Sequence, residues 1–275
     1  MDILGNMFNV FSREKNLVKN ILLKLEEKHI SDTTADLIIS YAKKYNDLTN
    51  LSLYLNNPAV LYSDLFKNTN LSSLFNSVPV SNLFKDKIIN LAGTVDNVNF
   101  GKGEIALMLF LKDTARCGEK GDIKTNDYIL EVKRGKSQVA ESHYTKRLSK
   151  SDIFHGTKSK LFINKYNIDL SPGKTWVESI QKSDPNKEEL EEVLAELYPN
   201  LEINVNLLTP QTLNNSIGLA LAKKYFLNKN ILFINNKSNN YVYVKDYDEF
   251  EKNVIGGYIK FSLASDTIPR CYLDI

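Results

Sequence analysis

Cysteine is scarce in this chain of 275 residues: Cys117 and Cys271 are its whole complement. Two thiols cannot build a disulfide framework or a zinc ligand set, so the fold must rest on its packed core. An excess of charge of one sign is also missing. The 35 Lys and Arg against 33 Asp and Glu leave a net charge of +2. That excludes a globally basic coat for nucleic acid and leaves any such contact to local patches. Long apolar runs are absent too, and the longest falls far short of the roughly 20 residues a membrane span needs. Met1 to Val10 carries only scattered apolar residues before Arg13, Glu14 and Lys15, without the uninterrupted core of a signal peptide. No internal repeat and no nucleophile elbow is present. The Gly173-Lys174-Thr175 triplet lacks a glycine five residues before Gly173, where Ile168 stands, so it reads as a turn and not a phosphate-binding loop.

What is present suits a globular α/β protein. The hydrophobic share of 43% is ordinary, and the length allows one or two domains with a sizeable core. Residues 1–90 read as a helical N-terminal subdomain. Leu17, Val18, Ile21, Leu22 and Leu25 recur on one helical face, and Ala35, Leu37, Ile38 and Tyr41 follow a cap at Ser31-Asp32-Thr33-Thr34. Asn56-Asn57-Pro58 and Ser77-Val78-Pro79 punctuate the rest. Asp184-Pro185 starts a helix with Leu190, Val193, Leu194 and Leu197 on one face. Its other face is acidic, with Glu188, Glu189, Glu191, Glu192 and Glu196, and is expected to turn away from any polyanion. A further helix is expected from about Thr209 to Leu227. Ile231–Ile234, Tyr241–Val244, Tyr258–Phe261 and Arg270–Leu273 read as strands, with Asn235-Asn236 and Asn239-Asn240 at the turn between the first two. These late strands are expected to complete a sheet begun near residue 91, giving a core over 91–275.

The chemistry is concentrated between Gly101 and Arg134. Ile105, Ala106, Leu107, Leu109 and Leu111 predict a buried helix, with Glu104 in a first turn whose dipole favours negative charge. Cys117 to Gly121 break the pattern. Asp122-Ile123-Lys124 and Tyr128 to Lys133 then read as two strands joined at Thr125-Asn126-Asp127. Alternation along a strand puts Ile129, Glu131 and Lys133 on one face and Leu130 and Val132 on the other. Asp122 reaches the same volume if the register sets it beside Glu131.

Three carboxylates and a lysine in this order match what metal-assisted phosphodiester cleavage requires. Magnesium takes hard oxygen ligands and keeps several waters, so two carboxylates plus a substrate phosphate suit it. Lys133 can position the attacking water or meet charge on the transferring phosphate. Glu104 can orient water, contact Lys133 or hold a second ion. A Glu-x-Lys triplet alone carries nothing, since Glu26-Glu27-Lys28 has one on an amphipathic helix; the ordered coincidence carries the reading.

Glu104 in Gly101-Lys102-Gly103-Glu104, Asp122 in Gly121-Asp122-Ile123, and Glu131-Val132-Lys133 together resemble the PD-(D/E)XK nuclease superfamily, which includes type II restriction enzymes. The resemblance covers only this short stretch, and Gly121 stands where the named pattern has proline. It implies a restriction-endonuclease-like mixed central sheet flanked by helices. It also implies catalytic roles for Glu104, Asp122, Glu131 and Lys133, and Mg2+ (with Mn2+ able to substitute) on Asp122, Glu131 and the carbonyl of Val132. The expected activity is metal-dependent endonucleolytic hydrolysis of DNA, with 5′-phosphate products. The Gly-Lys-Gly-Glu, Gly-Asp-Ile and Leu-Glu-Val-Lys-Arg-Gly combination also looks like nuclease-like proteins of tailed bacteriophages. Two alternatives follow: a virion or assembly protein that carries the fold, and a sequence-specific restriction enzyme acting as a homodimer. The expected location is cytoplasmic, or in the virion if the chain is phage-encoded.

A basic stretch follows the motif. Arg134, Lys136, Gln138, His143, Lys146 and Arg147 are the candidate DNA contacts, with Tyr144, Lys150, His155, Lys158 and Lys160 beyond them. His143 is read as a polar contact and not as a catalytic acid.

Overall fold

A computed structural model describes residues 3–95, 98–117, 122–139, 156–169, 176–199, 201–210, 212–223, 225–226, 230–263 and 269–275. The chain divides into two compact units, Met1–Arg134 with Lys229–Tyr243, and Gly135–Asn228 with Val244–Ile275. This differs from the expected division into 1–90 and 91–275. The physical reason is a shared core: the helices before residue 90 and the strands of the Glu-x-Lys motif bury their apolar side chains in one cluster.

The chain begins with α1 (Ile3–Glu27), α2 (Asp32–Lys44), α3 (Leu48–Asn56), a 3-10 turn at Tyr62–Phe66, α4 (Leu71–Leu74) and α5 (Asn82–Ile89). Ile21 and Leu25 of α1 are buried, as are Ala35, Ile38, Ile39 and Ala42 of α2. Leu22 and Leu37, expected in those stripes, are exposed instead. A stripe spaced three and four apart can seat only one row of side chains on the core. Ser31 caps α2 through its backbone geometry alone, its hydroxyl turning to Thr34.

A two-stranded ribbon, β1 (Gly93–Val95) and β2 (Val98–Phe100), leads into α6 (Glu104–Phe110). Then come β3 (Ala115–Arg116), β4 (Ile123–Lys124), β5 (Ile129–Arg134) and β6 (Ser137–Gln138). Among the described residues, four α-helices follow, α7 (Thr157–Tyr166), α8 (Trp176–Ser183), α9 (Lys187–Leu197) and α10 (Leu213–Ala222). The chain ends with β7 (Asn230–Ile234), β8 (Tyr241–Val244), α11 (Tyr247–Ile255), β9 (Ile259–Leu263) and β10 (Pro269–Leu273).

The main sheet is mixed and has the order β3-β4-β5-β7-β8. β3, β4 and β5 are antiparallel neighbours, whereas β5 and β7 run parallel, with Leu130 opposite Asn230 and Arg134 opposite Ile234. Parallel neighbours need a crossover connection, and here the crossover carries the second unit's β6 and α7–α10. α6 supplies the most heavily buried segment, every residue from Ile105 to Phe110 being in the core with Leu130, Val132, Leu232 and Ile234.

The second unit has its own cluster from α7, α8, α9 and α10, built on Phe162, Val177, Ile180, Leu190, Val193, Leu194 and Ile217. Its sheet has the order β6-β10-β9 and is antiparallel throughout. Two of the late strands, β7 and β8, therefore complete the main sheet as expected, whereas β9 and β10 do not. Among the described residues, no helix is long and apolar enough to cross a membrane.

Candidate active site

The Gly101-Lys102-Gly103-Glu104 sequence works as a geometric device. The Gly101 N–H donates to Oε1 of Glu104 at 2.7 Å, and a Cβ on Gly101 would collide with that same carboxylate. Gly103 has φ of 96°, a left-handed conformation that costs other residues energy, and its missing Cβ leaves room for Ile234. The two glycines thus fold the chain back so that the glutamate starts α6 with its side chain held inward.

The far end of α6 is secured by groups distant in sequence. A buried helix end needs partners for its last carbonyls. The Tyr54 hydroxyl donates to the Phe110 carbonyl. Lys28 donates to the carbonyls of Leu111 and Thr114 at 3.2 and 3.1 Å, and the Thr114 hydroxyl meets those of Met108 and Leu111 at 3.0 and 2.9 Å. Burial lowers the Lys28 pKa to about 8, although Asp113 and Glu27 oppose the shift. Tyr54, Lys28 and Thr114 were missed by sequence reasoning, because no local pattern marks a residue that caps an element it is not part of.

β4 and β5 carry the remaining groups. Ile123 faces Leu130, so the register continued one residue before β4 sets Asp122 beside Glu131, the condition for the two to share a volume. The Asp122 N–H donates to the Leu130 carbonyl at 3.2 Å, and its Oδ2 accepts from the Val132 N–H at 2.6 Å. Asp122 therefore extends the ladder with its side chain just before β4 begins. Alternation along β5 is as predicted, with Leu130 and Val132 buried and Ile129, Glu131 and Lys133 partly exposed. The Lys133 ammonium donates to Oε1 of Glu131 at 2.6 Å, with the side chains only 19% and 12% exposed. At that burial the pair is screened far less than a surface ion pair.

Glu104 belongs to the same electrostatic field. Its pKa is raised from 4.5 to about 8, first by burial and then by the charge of Asp122, with Glu131 adding a smaller push in that direction. The Gly101 N–H and Lys133 pull the other way. Burial thus acts against the negative charge that the start of a helix favours.

The donor chemistry fits a hard divalent cation. Carboxylate oxygens each have more than one lone pair, so Asp122 and Glu131 can hold an ion while keeping the bonds above. Added positive charge would also relieve the push of Asp122 and Glu131 on Glu104, which adds to the larger effect of burial. Among the described residues, no three His, Cys, Asp or Glu side chains converge as a ready metal-holding group. Magnesium accepts two carboxylates when water and phosphate complete its shell.

The candidate DNA contacts fare unevenly. Arg134 is half-buried and held at the turn between β7 and β8, its Nη2 donating to Oδ1 of Asn239 at 2.7 Å and to the Asn236 carbonyl at 3.3 Å. Lys136 is exposed, with its ammonium 5.7 Å from the centre of the Tyr272 ring. Gln138 lies on β6 opposite Arg270. His143, Lys146 and Arg147 lie outside the described residues, as do Tyr144, Lys150, His155 and the Gly173-Lys174-Thr175 turn. Lys158 pairs with Glu192 at 3.3 Å. On the acidic face of α9, Glu189 bonds Lys165 and Tyr166, and Glu196 accepts from the Ser159 N–H at 2.7 Å. That face is therefore used in packing α9 against α7.

Comparison of the chain with protein-family models, with curated proteins and with solved structures finds no match.

Proposed function

We propose that this protein is a metal-dependent endonuclease that hydrolyses DNA phosphodiester bonds, with a site of the PD-(D/E)XK type on a restriction-endonuclease-like sheet. The observation that carries the reading is the placement of Asp122 on the Val132 N–H at 2.6 Å between the paired Glu131 and Lys133, with Glu104 of α6 close enough to feel all three charges. Four polar groups from three successive elements lie within each other's electrostatic reach beside the mixed sheet. A packed core has no use for them, because each carries a desolvation cost.

Asp122 and Glu131, with the carbonyl of Val132, would hold magnesium. When bound, the ion supplies a more acidic water and neutralises charge on the phosphate. Lys133, kept in place by Glu131, brings a compact positive charge to the phosphate oxygens or the attacking water. Glu104, neutral near pH 7 in the present arrangement, is a hydrogen-bond donor there. With a cation held by Asp122 and Glu131, its ionised form would be favoured and could accept hydrogen bonds from water or Lys133.

The test is cleavage of supercoiled plasmid and single-stranded DNA with Mg2+ or Mn2+, with chelator controls and the Glu131→Ala and Lys133→Ala variants. The expected result is metal-dependent nicking, abolished by Glu131→Ala and greatly reduced by Lys133→Ala, with both variants still folded. Discrete fragments would identify a restriction-type dimer. Undiminished cleavage by Glu131→Ala would remove the assignment. No cleavage with either metal, combined with co-purification of the chain with virus particles, would favour the virion role.

A further inference from the structure

Outside the carboxylate site, the first unit carries a cluster of aromatic rings that the cleavage reading leaves unused. Tyr128 stacks on Tyr62 with the ring centres 5.3 Å apart and the planes 7° from parallel. Tyr62 is braced from behind: its hydroxyl donates to that of Tyr243 at 3.2 Å, and the edges of Phe66 and Tyr243 meet it at 85° and 86°. Tyr128 is itself fixed at the backbone, its N–H donating to the Thr125 hydroxyl at 3.0 Å and its carbonyl accepting from the Thr125 N–H at 2.9 Å. Yet its side is open, since Tyr128 is 48% exposed and neighbouring Phe66 is 55% exposed. A braced ring with one face covered and the other toward solvent is pre-organised to receive a second flat ring at little entropic cost.

A cation on the other face of the same hairpin favours a nucleotide over a neutral aromatic ligand. Lys124 pairs with Ile129 across β4 and β5 and so shares the face of Glu131 and Lys133, while Tyr128 precedes Ile129 and has the opposite parity. Lys124 is exposed and makes no ion pair among the described residues. The tip of this hairpin thus offers a cation on the carboxylate side and an open ring on the other.

We propose that Tyr128, backed by Tyr62, is a stacking surface for one unpaired base of a single-stranded nucleic acid, with Lys124 on the adjoining phosphate. A base inside a duplex has both faces covered by its neighbours, so this surface selects single strands, frayed ends or flaps. The proposal rests on the cleavage reading only for the direction of the strand, which would leave the carboxylate face around the hairpin tip.

The test uses the full chain in chelator, so that cleavage plays no part. A single-stranded oligonucleotide containing 2-aminopurine and a blunt duplex of the same sequence are titrated, with fluorescence as the readout. The expected result is quenched fluorescence and preferential binding of the single strand. Tyr128→Ala should lose the quench and bind about ten-fold more weakly, within the range for one base–aromatic stack. Tyr128→Phe should retain both, and Lys124→Ala should lower the salt slope by about one while keeping the quench. An unchanged thermal midpoint in the variants checks that they are folded. Equal quench and affinity in folded Tyr128→Ala, or preference for the blunt duplex, overturns the proposal. Either result stands apart from the plasmid assay, where loss of cleavage with the quench retained would overturn the nuclease alone.

Discussion

Glu104 shows how a single side chain can be held in a state its own chemistry disfavours. Its carboxyl titrates near 8 when folded and near 4.5 when free. Between those values the folded chain binds a proton that the unfolded chain has released, so stability falls as pH rises from about 4.5 through 8. With chelator present, the thermal midpoint should decline over that window, and Glu104→Gln should flatten the decline. A Gln variant that keeps the full slope would assign the titration to another group. Adding Mg2+ at pH 8 should raise the wild-type midpoint, because a cation beside Asp122 and Glu131 offsets their push on Glu104. The presence of these groups could be seen in the sequence, from the strand parity of Glu131 and Lys133 and the order of the three carboxylates. The protonation of Glu104 could not, because it depends on how deeply α6 is buried and on what faces it from β4.

Among the elements, α6 depends most on the rest of the unit. It is short, and isolated helices of seven residues are unstable in water. Its formation rests on complete burial and on partners at both ends. Removing the Thr114 hydroxyl by Thr114→Val should cost about 1–3 kcal/mol, since buried carbonyls lose a donor. Gly103→Ala should be destabilised by about 1–2 kcal/mol from its positive φ alone, with the contact at Ile234 adding to that. Urea unfolding of each variant checks both values, and a neutral Gly103→Ala would mean the turn before α6 relaxes freely. The strands of the motif and of β7 to β10 were legible because alternation and β-branched or aromatic residues mark them locally. Their partners were not. Ile259–Leu263 and Pro269–Leu273 look like any other strands, and joining β6 instead of β8 is decided by tertiary contacts. Likewise, Leu22 and Leu37 have the hydrophobicity of core residues without the core to receive them.

For the whole molecule, the two clusters of buried side chains predict two unfolding events. The chain has one tryptophan, Trp176, within the second unit. Its fluorescence should therefore report that unit, while far-ultraviolet circular dichroism reports both. Urea titrations followed by the two probes should give different midpoints; coincident curves would mean that the units unfold as one. Composition changes near residue 90 from helical to β-rich, whereas packing continues across it. A core ignores such a change when helices and strands bury the same face.

The parallel pairing of β5 with β7 also has a consequence for the order of events during synthesis. Leu130 and Asn230 are partners a hundred residues apart, so β5 leaves the ribosome long before the strand that covers its open edge. Until then the nascent chain exposes a hydrogen-bonding edge beside Leu130 and Val132, while residues 135–228 can already begin to collapse on their own. Closing so long a loop before any contact repays it makes for slow folding. Slow closure leaves the growing chain open to pairing with other strands, so a chaperone's hold on this protein should be longest between the emergence of residue 134 and that of residue 234.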